Sequence, residues 1–171
     1  DGLGPLVLLK GVAYLAQGLP MADGRMPSDV DLLLPRPLLA EAEQRLAAVG
    51  WAAAKTDDYD QHYYRAWSHE LPPLQCAGQV LELDLHHTIV PPIGRARADD
   101  AALLAASVPL ADGRLRVLCA EDQLIHAAAH LFQDGDCVNR LHELVDIDGL
   151  LRAHGADGGD FFERLHERAQ R

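Results

Sequence analysis

Two aspartates stand two positions apart at the start of an apolar run, in the segment RMPSDVDLLLP at residues 25–35. In a β-strand alternate side chains share a face, so Asp29 and Asp31 would point to the same side, with their Cα atoms roughly 7 Å apart. Neighbouring carboxylates repel each other unless a positive charge lies between them, and a divalent metal ion commonly supplies that charge. A strand that leaves a turn capped by Ser28 and Asp29, with Asp31 in solvent, explains the same residues without a metal.

A second acidic strand is predicted at residues 80–90, VLELDLHHTIV. Its leucines alternate with polar residues, which predicts a half-buried strand with an acidic face formed by Glu82, Asp84 and His86. If the two acidic strands are neighbours, three carboxylates converge over the sheet. Three such groups can hold two Mg²⁺ ions about 4 Å apart, an arrangement used in phosphoryl and nucleotidyl transfer.

The elements that would position these acids fall into two parts. We expect residues 1–97 to form an α/β core and residues 98–171 to form a helical subdomain. Together they would make an α+β fold, with a mixed sheet flanked by helices. In the core we expect strands at 6–11, 29–34, 51–55, 62–71 and 80–90, a polar turn at 56–61, and an amphipathic helix at 38–50 with the stripe Leu38, Ala42, Leu46 and Val49. In the second part we expect helices at 119–135, 138–155 and 160–171.

Composition excludes several classes of function. The 171 residues carry a net charge of −11, which argues against an extended nucleic-acid surface. No apolar run is long enough to cross a membrane. The three cysteines, Cys76, Cys119 and Cys137, form no CxxC pair, so neither a zinc site nor a disulfide framework is supported. With no visible signal peptide, we expect reduced thiols and a cytoplasmic location.

The order of these segments resembles a bacterial family of uncharacterised nucleotidyltransferases within the polymerase-beta-type superfamily. The segments that carry the resemblance are LLKG at 8–11, RMPSDVDLLL at 25–34, LDLHH at 83–87, and EDQLIHAAAH followed by LVDIDGLL. Together they cover about residues 6–152. The resemblance implies a nucleotidyltransferase-like fold, with a helical tail after the acidic strands.

The resemblance also implies a reaction and a set of site residues. A nucleoside monophosphate would move from a nucleoside triphosphate such as ATP to an acceptor hydroxyl, with Mg²⁺, in a two-ion site, and with release of pyrophosphate. The catalytic and metal-binding carboxylates would be Asp29, Asp31 and Asp84, and Glu82 is a reserve candidate. The acceptor would be a small molecule, a peptide or a protein, with neither extended nucleic acid nor a membrane as partner.

The nucleotide-binding residues would be Lys10, Gly11, Arg25 and Ser28. The wider superfamily has a Gly-Ser pair in its first turn, where this chain has Lys10-Gly11; the Gly11 amide and the Lys10 charge could still approach phosphate. Arg25 fits two roles equally well, a bidentate phosphate contact or a salt bridge to Asp29.

Other residues allow both a functional and a structural interpretation. His126 and His130 are spaced i,i+4, opposite a predicted apolar stripe of Leu124, Ile125, Ala128, Leu131 and Phe132. They would bind a metal, contact substrate in the cleft, or lie at the surface or between the two parts of the chain. His86 would orient Asp84 or a substrate, and His69 is similar. Arg140 and Asp146 would pair with each other or with the sheet domain.

Two rival functions remain open at this point. The fold could serve as a non-catalytic binding or regulatory module. The same acids could also support a metal-dependent phosphotransferase or hydrolase with water as the acceptor.

Overall fold

The computed structural model describes residues 2–111, 113–133, 140–156 and 159–170. Over these residues the chain forms one seven-stranded sheet and seven α-helices. The strands are β1 (Leu6–Leu8), β2 (Asp29–Leu33), β3 (Trp51–Ala53), β4 (Leu74–Cys76), β5 (Glu82–His86), β6 (Val108–Pro109) and β7 (Leu115–Val117). The helices are α1 (Lys10–Gln17), α2 (Leu39–Ala47), α3 (Asp58–Ala66), α4 (Asp100–Ala106), α5 (Ala120–Gln133), α6 (Leu141–Gly155) and α7 (Gly159–Ala169).

The sheet is mixed, with the strand order β3-β4-β5-β2-β1-β7-β6. The two acidic strands, β2 and β5, are parallel neighbours near its centre. β1 pairs with β2 antiparallel and with β7 parallel. This arrangement confirms the α+β fold with a mixed sheet, flanking helices and C-terminal helices.

The strands β6 and β7 were not foreseen from the sequence. They follow residue 97 and join the same sheet as β1. They contain two and three residues, too few for a reliable alternation of polar and apolar side chains. The division into units 1–97 and 98–171 stays a prediction.

Leucines on the strands build the cores that hold the acidic strands in place. Leu83 and Leu85 of β5 pack with Leu39 and Ala42 of α2, which confirms the predicted alternation of β5. On the α5 side, Leu8 and Tyr14 pack with Leu124, Leu150 and Phe161 of the C-terminal helices. Because apolar residues on β2 and β5 fix the pleat, the alternate polar residues are directed to one place.

The strand predicted at 62–71 is wrong. Helix α3 spans Asp58–Ala66, and the rest of the segment contains only an isolated bridge at Glu70. Asp57 caps this helix by accepting a hydrogen bond from the Asp60 amide at 2.9 Å, and Asp58 and Asp60 lie in the first turn, where acids favour a helix. The acidic segment predicted as a polar turn is therefore the start of a helix. This capping outweighs the β-propensity of the aromatic residues.

Three details of the helices differ from the predicted stripes. Val49 and Phe132 are exposed, at 69% and 67% of their surface, whereas His126 is buried. In α5, Leu124 and Leu131 are buried as predicted, and Ala127 is buried beside them. The predicted helix end at Gly135 and the residue Cys137 lie outside the described residues.

The described ranges contain no helix with the length and apolar content needed to span a bilayer.

Candidate active site

The pairing of β2 with β5 brings three of the predicted carboxylates together. Asp31 lies directly across from Asp84 in the parallel register. Oxygens of Asp29, Asp31 and Asp84 all lie within 4.8 Å of one another, close enough to share a metal ion. Glu82 pairs across the sheet with Asp29, but its Oε1 accepts a hydrogen bond from Gln75 at 2.5 Å. Glu82, the reserve candidate, is thus bound to Gln75 and is not a member of the carboxylate group.

Asp31 is the buried member of this group. Its Oδ1 accepts a hydrogen bond from the Lys10 ammonium at 3.0 Å and lies 2.8 Å from His86 Nε2. Burial alone would raise the pKa of this carboxyl, but the hydrogen bond from His86 and the Lys10 charge together hold the pKa well below its usual range. Asp31 is therefore ionised. Both contacts use Oδ1, so neither occupies Oδ2.

Asp84 is in the opposite electrostatic situation. Its Oδ1 is buried and has no hydrogen-bond partner among the described residues. Burial, and then the charges of Glu70, Asp31 and Asp29, raise the pKa of Asp84 to about 7. A buried acceptor with no donor and an excess of nearby carboxylates is an environment that a divalent cation would stabilise. The residues present therefore fit a metal of the Mg²⁺ type.

The four predicted nucleotide-binding residues lie on one side of these carboxylates. Lys10, Gly11, Arg25 and Ser28 line a cleft of about 190 Å³ together with Asp29 and Asp31. An adjoining cleft of about 600 Å³ shares Gly11, Arg25, Ser28 and Asp29. The arrangement leaves room for a phosphate chain next to the carboxylates.

Lys10 is held in an unusual backbone conformation. The predicted strand at 6–11 ends at Leu8, and Lys10 begins α1 with a φ of 45°, in the left-handed region. A lysine in this region has an unfavourable contact between its Cβ and the backbone. The conformation directs the ammonium to Asp31, and strain of this kind often accompanies function.

Arg25 does not bind Asp29. Its Nη1 donates to both carboxylate oxygens of Asp146 in α6, at 2.6 and 2.7 Å. Its guanidinium also covers Gly11, where a Cβ would come within 3.0 Å of Arg25 Nε. A larger residue at position 11 would require the guanidinium to shift by a few tenths of an ångström. Asp146 was predicted to pair either with Arg140 or with the sheet domain, and the structure shows the second pairing.

The histidines contribute mainly through contacts with the acids. His86 is fully buried and contacts Asp31 rather than the predicted Asp84. His126 is also buried, its ring 6.5 Å from that of His86 and 6.4 Å from that of His130. Among the described residues, the groups that could hold a metal do not include His126 or His130. His130 Nδ1 instead lies 3.3 Å from Glu143, and Arg140 donates to the His130 carbonyl at 2.9 Å.

Sequence reasoning missed Glu70. Its Oε2 lies 3.2 Å from His86 Nε2 and 3.6 Å from His69 Nε2. Glu70 reaches the site because its backbone forms an isolated bridge with His86. The only signal for Glu70 in the sequence is its place directly after an aromatic segment. Because that segment was predicted as a strand, the direction of the Glu70 side chain could not be predicted.

Comparison with known proteins agrees with this fold. The model of a family described as uncharacterised nucleotidyltransferase matches residues 4–171, nearly the whole chain. The chain belongs to this family. Among curated protein sequences, none matches it.

Two solved structures of ANT(2'')-Ia share the fold of this nucleotidyltransferase. The solution structure of this antibiotic-resistance factor aligns with a TM-score of 0.58 and 16% identity, over 97% of this chain and 80% of that one. The crystal structure with adenylyl-2''-tobramycin aligns with a TM-score of 0.54 and 15% identity, over 97% and 85%. At this identity the likeness concerns the fold. Family membership supports nucleotidyl transfer as the general activity.

Proposed function

We propose that the protein is a Mg²⁺-dependent nucleotidyltransferase that moves a nucleoside monophosphate from a nucleoside triphosphate to an acceptor hydroxyl. The observation that carries this proposal is the convergence of Asp29, Asp31 and Asp84 within 4.8 Å, with a buried and unpartnered oxygen on Asp84. When bound there, Mg²⁺ would neutralise charge on the triphosphate and lower the pKa of the acceptor hydroxyl.

The protein residues would divide the remaining work by position. Asp29 and Asp31 would hold the metal on the side lined by Gly11, Arg25 and Ser28. Arg25 reaches Asp146 through Nη1, so its other guanidinium nitrogen atoms are candidates for phosphate contacts. Lys10 is near enough to Asp31 to place a positive charge between a carboxylate and a phosphate.

Asp84 would accept the proton of the acceptor hydroxyl. The acceptor oxygen forms a bond to the α-phosphorus, the bond from that phosphorus to the bridging oxygen breaks, and pyrophosphate leaves. We place the reaction in the cytoplasm, where the free thiols of Cys76 and Cys119 stay reduced.

The test is thermal stability with ATP, GTP, CTP and UTP, each with and without Mg²⁺. A ligand at a hundred times its Kd stabilises by about 2.7 kcal/mol, so one nucleotide should raise Tm by several degrees. The shift should require Mg²⁺ and disappear in the double variant Asp29→Ala/Asp31→Ala. Glu41→Gln, which removes an exposed carboxylate on α2, is the matched control and should keep it.

The outcomes separate this proposal from its rivals. No shift with any nucleotide would contradict it and favour a non-catalytic module. Where a nucleotide binds, product analysis decides the reaction. Pyrophosphate with a nucleotidylated acceptor marks a transferase, whereas a free nucleotide product with water as acceptor marks a hydrolase.

A further inference from the structure

A separate cleft of about 470 Å³ opens on the Asp84 side of the candidate active site. Asp29 and Lys10 line both this cleft and the one that contains Gly11 and Arg25. The two clefts therefore meet at the candidate metal site. A compound in the Asp84 cleft would have its reacting group beside Asp84, opposite the nucleotide side.

Aromatic side chains of α3 and the residue after it form one wall of the Asp84 cleft. Tyr63, Tyr64 and Trp67 all line it. Tyr63 is 43% and Trp67 39% exposed, and the Tyr63 ring lies 6.0 Å from Trp67 and 5.6 Å from Tyr64, edge to face. Such exposed rings offer faces to a cation or to the apolar body of a ligand. The cluster therefore indicates a binding wall and not a core.

Without a metal ion, the charge of the Asp84 cleft is negative. Its described lining includes the carboxylates of Asp29, Glu70 and Asp84 and the ammonium of Lys10. Lys10 is 3.0 Å from Asp31, a fourth carboxylate, which offsets its charge. The lining imidazoles add little positive charge, because burial lowers the pKa of His69 to about 3 and also lowers that of His130.

Glu70 is the carboxylate best placed to contact an acceptor. Asp29 and Asp84 belong to the carboxylate group of the candidate metal site, whereas Glu70 lies in a second group of possible metal ligands with His69 and His86. The Glu70 side chain is 20% exposed, so a ligand in the cleft can reach it. Its contacts with His86 at 3.2 Å and His69 at 3.6 Å hold its position.

We propose that the Asp84 cleft binds the acceptor, and that the acceptor is a hydroxyl compound carrying an amino or guanidino cation, recognised by Glu70 and the aromatic wall of Tyr63, Tyr64 and Trp67. This inference rests on the proposed transfer, because it places the acceptor opposite the nucleotide. It assigns Glu70 as a specificity residue. The cation would lie between Glu70 and the rings, and the hydroxyl would lie next to Asp84.

The experiment uses Trp67 as a reporter inside the cleft. The chain has two tryptophans, and Trp67→Phe identifies the part of the fluorescence that comes from position 67. The purified protein is titrated with 1,3-diamino-2-propanol, which has two cations and a hydroxyl, and with glycerol as the neutral match. We expect a saturable change with the diamine alone, at least tenfold weaker in Glu70→Gln and unchanged in the surface control Glu41→Gln.

Equal responses to both compounds, no saturable response to the diamine, or equal affinity in Glu70→Gln would each overturn the inference. If Glu70→Gln does not fold, Tyr63→Ala replaces it, since Tyr63 is partly exposed, and a severalfold loss is expected. The nucleotide shift with Mg²⁺ is measured on the same samples. If a nucleotide raises Tm with Mg²⁺ but the fluorescence does not distinguish the diamine from glycerol, the acceptor class alone is overturned. Diamine binding without any nucleotide shift overturns the transfer and the acceptor role with it.

Discussion

Arg25 and Asp146 lie 121 positions apart and form an ion pair in which Arg25 Nη1 donates to both carboxylate oxygens, at 2.6 and 2.7 Å. The pair joins the loop before β2 to α6. Because Arg25 also covers Gly11 at the start of α1, helix α6 and the predicted phosphate-binding segment share one guanidinium. The helical part of the chain therefore helps to set the geometry of the site.

Replacing Asp146 with Asn should destabilise the protein. Asp146 is buried and Arg25 is only partly exposed, so the lost charge-assisted bonds should lower the free energy of unfolding by about 1–3 kcal/mol. Denaturant unfolding measures this loss. Asp148→Asn breaks the exposed pair with Arg152 on the same helix and should leave the midpoint unchanged. Equal midpoints for the two variants would contradict a structural role for the Arg25–Asp146 pair.

Replacing Asp84 with Asn should have opposite effects on stability and activity. In EDTA at pH 8 the variant should be more stable than the wild type, because it removes a buried charge that faces Glu70, Asp31 and Asp29. Adding Mg²⁺ and nucleotide should raise the Tm of the variant less than it raises the Tm of the wild type. The turnover of the variant should be at least a hundredfold lower. Thermal unfolding and a pyrophosphate assay follow the two effects.

The control for this trade-off is Glu41→Gln, which removes an exposed carboxylate on α2. It should follow the wild type in both assays. A less stable Asp84→Asn variant in EDTA would mean that Asp84 stabilises the metal-free fold, contrary to the unfavourable environment described above.

The part of the site that could be predicted is the part that depends on local periodicity. Asp29, Asp31 and Asp84 stand on strands whose leucines fix the pleat, so their direction follows from a period of two. That β2 and β5 are neighbours was only a hypothesis from the residues. The family resemblance supported it, and the parallel register confirms it.

The parts that could not be predicted depend on tertiary contacts or on competing local signals. Nothing near Arg25 in the sequence indicates Asp146 as its partner. Glu70 was hidden because aromatic residues suggested a strand, whereas the Asp57 cap produces a helix. His126 shares a helix with a strong apolar stripe, and only the packing of α5 against the site shows that it is buried.

Two substitutions of Lys10 should separate its charge from its backbone. Lys10→Ala and Lys10→Gly both remove the ammonium from Asp31, but only glycine accepts a φ of 45° without strain. We expect the glycine variant to be more stable than the alanine variant by about 1 kcal/mol, measured by denaturant unfolding. An alanine variant of equal or greater stability would contradict strain at this position.

The pH dependence of stability should reveal the buried state of His126. Burial, and then the charges of Lys10 and the other site histidines, hold the pKa of His126 well below its usual 6.5, while Asp31 opposes this weakly. The unfolded chain therefore binds a proton near pH 6.5 that the folded chain does not, so this contribution to stability is complete above pH 6.5 and is lost as pH falls.

In EDTA between pH 6.5 and 5, the free energy of unfolding of the wild type minus that of His126→Gln should fall by about 1 kcal/mol per pH unit. Urea unfolding at several pH values measures this difference. His142→Gln is the matched control, because the His142 side chain is 62% exposed, and its pH profile should match that of the wild type. If His126→Gln also matches the wild type, His126 takes up its proton in the folded state, and α5 must open toward solvent to allow it.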